Sequence, residues 1–152
     1  MSLQEIAESQ ANCAILGQAG CGKTTLLKQL SEHFGGTYVI VSSIALAAYN
    51  CNGRTIHSLF KIPPFDENIT DLDVFVETNR FLLNVDLTKI KGIIIDEISS
   101  VSTKLFCLMD LICKKIRGND KPFGGLRVLV FGDFYQLPPV INSKNLLFKY
   151  SK

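Results

Sequence analysis

Residues 16–27 read Leu-Gly-Gln-Ala-Gly-Cys-Gly-Lys-Thr-Thr-Leu-Leu. Gly17, Gly20 and Gly22 fall within six residues, and Lys23, Thr24 and Thr25 follow at once. A packed core gains nothing from so much bare backbone, so something must approach the main chain here. Just before it, Asn12 to Leu16 form a short apolar run that reads as a buried strand. Just after it, Gly22 to Phe34 place Leu26, Leu27, Leu30 and Phe34 on one side of a helix, which Gly35-Gly36 stops. A strand, a glycine turn and a helix in that order bring main-chain N–H groups and a positive helix end to one point, which suits a phosphate.

The pattern formed by Gly17, Gln18, Ala19, Gly20, Cys21, Gly22, Lys23 and Thr24 is G-x-x-x-x-G-K-[ST], the P-loop. In that pattern Lys23 reaches the β- and γ-phosphates and the Thr24 hydroxyl ligates Mg²⁺, with Thr25 closing the nucleotide-binding stretch. The glycine order is not the G-x-G-x-x-G of dinucleotide sites.

A second apolar run, Gly92 to Asp96, ends in an acid and is followed by Glu97. Ligands of parallel sheets bind at the carboxyl ends of the strands. Asp96 is therefore placed to hold Mg²⁺, directly or through water, and Glu97 to take the proton of an attacking water. Lys23 and Glu97 are the candidate catalytic residues of these two stretches. Together they indicate NTP binding and hydrolysis without saying what hydrolysis drives, and a small-molecule kinase shows the same two motifs.

The remaining pattern is that of an α/β domain. Strands are expected at Thr37 to Val41 and Leu126 to Asp133, a short helix at Ile44 to Asn50, and turns at Asn52-Gly53 and Pro63-Pro64. Helices are expected at Asp71 to Asn84, with Leu72, Phe75, Val76, Leu82 and Leu83 inward, and at Ser102 to Ile116. The second carries a stripe of Leu105, Leu108, Met109, Ile112 and Ile116 opposite Lys104, Asp110, Lys114 and Lys115. Strands that are apolar throughout and alternate with helices imply a parallel sheet covered on both faces. At 152 residues, 47% hydrophobic and 20% charged, the chain fits one globular domain. No apolar run reaches the roughly 20 residues of a membrane helix. Five cysteines without a C-x-x-C pair indicate neither a disulfide framework nor a zinc site, and suit an intracellular, reducing compartment. The net charge of +2 permits nucleic-acid binding but only a clustered patch would argue for it.

Val128 to Val140, Val-Leu-Val-Phe-Gly-Asp-Phe-Tyr-Gln-Leu-Pro-Pro-Val, narrows the reading. It resembles motif III of superfamily 1 DNA helicases, specifically the PIF-like (petite integration frequency) family related to the RecD helicase. Pro122 to Gly125 and the upstream Arg117 fit the same family, Asn50 to Phe60 resembles its ssDNA-contacting stretch, and Ile93 to Ser102 resembles its motif II. The resemblance covers residues 13 to 141. It implies a RecA-like P-loop NTPase fold and motifs I, Ia, II and III in one N-terminal ATPase domain over residues 1–152. It further implies ATP and Mg²⁺ as cofactors, and an ATP-hydrolysing motor lobe of a 5′-to-3′ DNA helicase. Gln136 would sense the γ-phosphate as a third catalytic residue, with Pro138-Pro139 stiffening the chain after it. Asn50, Thr55 and His57 would lie along single-stranded DNA, and Phe60, Phe134 and Tyr135 would either stack on its bases or belong to the core. Arg54 and Arg117 would either meet phosphates or be solvated.

The sequence departs from the family at Cys21, where a Thr is usual, and at Ser42 to Ala48, where an Ala-Pro-Thr-Gly stretch is usual and Ile44 takes the place of the Thr. Gln4 and Gln10 lack the spacing of the family's adenine-reading glutamine. The second RecA-like domain lies outside residues 1–152 and is expected as a partner in cis or in trans, with single-stranded DNA as the other partner and no membrane. The alternative reading is a truncated, non-catalytic nucleotide-binding module that acts as a partner or regulator.

Overall fold

Alternate residues of each core strand face opposite apolar layers, which is why the strands carry almost no polar side chains. The computed structural model describes residues 2–17, 22–63, 70–83, 85–133 and 149–151. In chain order the elements are α1 (Leu3–Glu8), β1 (Cys13–Leu16), α2 (Lys23–Phe34), β2 (Tyr38–Ser42), α3 (Ala45–Asn50), β3 (Arg54–Thr55), α4 (Ile56–Phe60), α5 (Leu72–Asn79), β4 (Gly92–Asp96), α6 (Thr103–Arg117), β5 (Arg127–Gly132) and β6 (Lys149–Ser151). They build one six-stranded sheet in the order β3-β2-β4-β5-β1-β6. Every strand pair in it is parallel.

One layer takes Ala14, Leu16, Val41, Ile93, Ile95, Val128 and Val130 from the sheet and packs them against α4 and α6. The other takes Cys13, Ile15, Ile40, Ile94, Leu129 and Phe131 and packs them against Ile6 of α1 and Leu27 and Leu30 of α2. The expected sheet with two covered faces is therefore present.

α6 is capped by Ser102, whose hydroxyl accepts from Leu105 N–H at 3.0 Å, and Gly118 ends it in the left-handed conformation at φ 70°. Its stripe of Leu105, Leu108, Met109 and Ile112 is buried, as the 3.6-residue spacing requires. α5 is shorter than expected. Asp71 caps it, but beyond Asn79 the backbone tightens into a 3-10 turn over Arg80–Leu82. Phe81 is 85% exposed there, while Leu83 just beyond packs against the core.

Four short elements, α1, β3, α4 and β6, were not foreseen. α1 is closed by a capping box in which Glu5 N–H donates to Ser2 Oγ at 3.2 Å and Ser2 N–H to Glu5 Oε2 at 2.6 Å. α4 begins at Thr55, whose hydroxyl accepts from Ser58 N–H at 3.2 Å. β6 pairs with β1, setting Tyr150 opposite Ala14. None of the described helices is long and apolar enough to cross a membrane.

Candidate nucleotide site

The register fixes which residues meet at the carboxyl edge of the sheet. Leu16 at the end of β1 lies opposite Gly132 at the end of β5, and Asp96 at the end of β4 lies opposite Ser42 at the end of β2. One step further, Gly17 N–H donates to the Gly132 carbonyl at 3.1 Å. Gly22 then turns the chain into α2 at φ 89°, a left-handed value that glycine adopts without strain. Lys23 is the first residue of α2, with Thr24 and Thr25 exposed in the same first turn.

Lys23 ties the edge together. Its Nζ donates to the Gly17 carbonyl at 2.5 Å and to the Gly132 carbonyl at 2.8 Å. An ammonium has three donors, so one remains for an oxygen presented from outside. The charge is thereby held at the head of α2, where the N-terminal N–H groups also favour an anion. Gln18, Ala19, Gly20 and Cys21 of the loop, and Phe134, Tyr135, Gln136, Pro138 and Pro139 beyond β5, lie outside the described residues.

Across from Lys23 stands the acidic pair. Burial pushes the Asp96 carboxyl above its ordinary value; a hydrogen bond from Glu97 N–H at 2.9 Å works against that, the Glu97 charge adds to the rise, and the Lys23 ammonium opposes it. Glu97 is exposed and sits at φ 54°, ψ 53°, a left-handed conformation that costs a non-glycine residue about 1–3 kcal/mol. Its carbonyl accepts from Ser100 N–H at 3.0 Å and from the Ser100 hydroxyl at 2.7 Å, which pins the strained turn. Ser43, in the stretch that departs from the family pattern, donates through Oγ to the Ser100 carbonyl at 3.0 Å. A second contact joins the two hydroxyls at 2.5 Å. The loop after β2 is thus fastened to the acidic turn.

Gly132 is the residue whose role the sequence left unread. Besides accepting from Gly17 and Lys23, it leaves room for Ile98, the residue after Glu97. A Cβ on Gly132 would stand 2.5 Å from Ile98 Cγ2, and Ile98 is fully buried. Replacing Gly132 by Ala is therefore expected to destabilise the chain by about 1–3 kcal/mol through overpacking and to shift the acidic turn. Urea denaturation checks this, and a change under about 0.5 kcal/mol would show that Ile98 yields freely.

Mg²⁺ fits this edge as a shared ligand. Among the described residues no group of three or more His, Cys, Asp or Glu has the geometry to hold a metal ion. The oxygen donors at this edge include the Thr24 hydroxyl and the half-buried Asp96 carboxylate. Magnesium characteristically takes one or two protein oxygens and completes its shell with waters and substrate phosphates.

The raised Asp96 carboxyl also gives a stability signature. In the window between the ordinary carboxylate value and the raised one, the folded chain binds more protons than the unfolded chain, so Asp96 lowers stability as pH rises through that window. Asp96→Asn, which keeps an acceptor for Glu97 N–H, is expected to raise the thermal midpoint of the chain at neutral pH. The gain should shrink as pH falls toward the ordinary carboxylate range. A variant that melts below the parent at pH 7 would contradict this.

The proposed DNA-facing residues separate. Asn50 is exposed at the end of α3, Thr55 caps α4, and His57 is half-buried within it. Phe60 is a correction: it is 0% exposed and belongs to the core beside Ile56 and Leu59, so it has no face to offer a base. Tyr49, next to Asn50, is 80% exposed. Arg117 is structural: its Nε donates to the Gly124 carbonyl at 2.7 Å and its Nη1 to the Leu87 carbonyl at 2.8 Å.

A parallel sheet with a glycine-turned helix head facing a strand-end acid defines a P-loop nucleotide-binding domain of RecA-like form. The chain belongs to the PIF1-like helicase family, whose model matches residues 3–150. It is 39% identical over 139 residues to the ATP-dependent DNA helicase Pif1 of Psychrobacter sp. (strain PRwf-1), covering 90% of this chain and 21% of that protein. It is 35% identical over 155 residues to the ATP-dependent DNA helicase PIF1 of Saccharomyces cerevisiae (strain YJM789), covering 99% of this chain and 18% of that protein. The crystal structure of Pif1 helicase from Bacteroides in complex with ADP-AlF3 and ssDNA superposes with a TM-score of 0.69 at 36% identity, over 94% of this chain and 34% of that one. The chain thus spans about a fifth of the length of the curated relatives it matches.

Proposed function

We propose that this chain is the ATP-binding lobe of a DNA helicase motor and works with a second RecA-like domain supplied in cis or in trans. One observation carries the reading: Lys23, Gly132 and the Asp96–Glu97 turn converge at one edge of the sheet, through hydrogen bonds and steric fit that link all three motifs. The Bacteroides relative was crystallised with a nucleotide analogue and single-stranded DNA, which supports the same ligand classes here.

In this reading the loop from Gly17 to Thr25 cradles the triphosphate of ATP. Lys23 turns its free donor, and then the two now given to carbonyls, toward the β- and γ-phosphates. Thr24 and Asp96 would hold Mg²⁺, which would offset charge on the phosphates. Glu97 accepts the proton of the attacking water, and the hydrogen bonds from Ser100 to its carbonyl fix the backbone turn that carries it. Gln136 reports loss of the γ-phosphate. Arginines from the second domain complete the site, a contribution typically worth 10³ to 10⁵ in rate, so this lobe alone turns over very slowly.

The Ser43–Ser100 contacts tie the loop entering α3 to the acidic turn. They give phosphate chemistry a short mechanical path to Asn50, Tyr49, Thr55 and His57, which would meet single-stranded DNA. Movement is 5′-to-3′, as the family resemblance implies. The test is ATP turnover by the chain joined to a second RecA-like domain, with and without single-stranded DNA. A rise of at least tenfold on adding DNA is expected, and a rate indifferent to DNA would contradict the motor reading.

A further inference from the structure

The amino edge of the sheet, far from the P-loop, carries a second group of cations. A cavity of about 830 Å³ opens there between the start of β1, the start of β2 and the turn before β5. Among its walls are His33, Lys91, Arg117, Lys121 and Arg127, and none of the described residues that line it is Asp or Glu. The chain's net charge is only +2, so this is a concentration of charge and not the average of the surface.

Arg127 is the decisive residue. It is the first residue of β5 and is 6% exposed. Its Nε donates to the Ala11 carbonyl at 2.8 Å and its Nη2 to Cys13 Sγ at 3.6 Å. Nη1 is buried with no hydrogen-bond partner, and no carboxylate among the described residues pairs with the guanidinium. Arginine cannot shed its proton to escape this burial. A buried guanidinium without a counter-charge is costly, and an unmade hydrogen bond adds to the cost. Anchored by its Nε, the fork cannot swing out to water without breaking the bond to Ala11.

We propose that this amino-edge cavity binds a phosphate group, with Arg127 as its buried anchor and Lys91 and Lys121 as its rim. Guanidinium forks match tetrahedral oxyanions, and exposed lysines add point charges without demanding geometry. The site is separate from the nucleotide edge: β5 runs from Arg127 to Gly132, about 3.3 Å per residue, or roughly 17 Å between the two. The phosphate is carried either by a nucleic-acid strand or by a free nucleotide, and the chemistry of recognition is the same.

The test is a titration of the ¹⁵N-labelled chain bearing Lys23→Ala, which silences the P-loop, with inorganic phosphate at constant ionic strength. Shifts are expected at the Arg127 Nε–H and at the amides of Ala11, Asn12 and Lys91. Arg127→Gln should weaken the response at least tenfold. Lys91→Gln with Lys121→Gln, both on exposed side chains, should weaken it severalfold while leaving the fold intact. The proposal is overturned if phosphate moves none of these signals, if it moves only residues 17–25, or if both sets of variants respond like the parent. Repeating the titration with a dodecamer of thymidylate and with magnesium-free ADP identifies the carrier. Displacement by the oligonucleotide, with an affinity that falls steeply as salt rises, assigns a strand; displacement by ADP alone assigns a free nucleotide.

Discussion

Lys23→Ala should lower the affinity of the chain for magnesium ATP by at least about 100-fold, because two charge-assisted hydrogen bonds to phosphate, each worth about 1.5–3 kcal/mol, are lost together. Isothermal calorimetry reads this directly. The same substitution also removes the bonds from Nζ to the Gly17 and Gly132 carbonyls. A modest fall in the melting midpoint is therefore expected alongside the binding loss, and circular dichroism at the binding temperature separates the two. Affinity within a factor of three of the parent would remove Lys23 from the phosphate site.

Glu97→Gln, in a chain completed with a second RecA-like domain, should cost about 10² to 10⁴ in turnover while ATP affinity stays within about threefold. Gln keeps the size and the backbone strain at φ 54° but cannot take a proton from water. Binding and chemistry are thereby split, which a merely structural role for Glu97 would not produce. Near-normal turnover would assign proton removal to another group.

Much of this edge was legible from residues alone. The P-loop pattern placed Lys23 at the head of a helix, and the apolar run of Ile93, Ile94 and Ile95 placed Asp96 at a strand end, because both inferences are local. The stripe on α6 was legible for the same reason: its period shows in the sequence whatever it packs against. What escaped was either short or non-local. α1 has a capping box at Ser2 and Glu5, a readable signal, but the helix it opens is only six residues long. β6 is Lys-Tyr-Ser, which has no apolar run to announce a strand. The burial of Phe60 depends on α4 folding onto the sheet with Ile56 and Leu59, a contact that is not local in sequence. Gly132 reads as a strand end until Ile98, 34 positions earlier, is seen against it. Arg127 reads as the polar start of a strand until the burial of its Nη1 is seen.

The departures from the family pattern also acquire a physical meaning. Ile44, where the family resemblance implies a hydroxyl, is 42% exposed at the head of α3 and presents an apolar surface. Ser43 instead spends its hydroxyl on Ser100. The acidic turn and the loop entering α3 are therefore joined by side chains, Ser43 and Ser100.

The most direct test of the account is a crystal structure of the chain with magnesium and a non-hydrolysable ATP analogue. The triphosphate is expected at the head of α2, with Lys23 Nζ within hydrogen-bond reach of its terminal oxygens and the Asp96 carboxylate on the metal side. A nucleotide bound elsewhere, or Asp96 turned away from the phosphates, would contradict it.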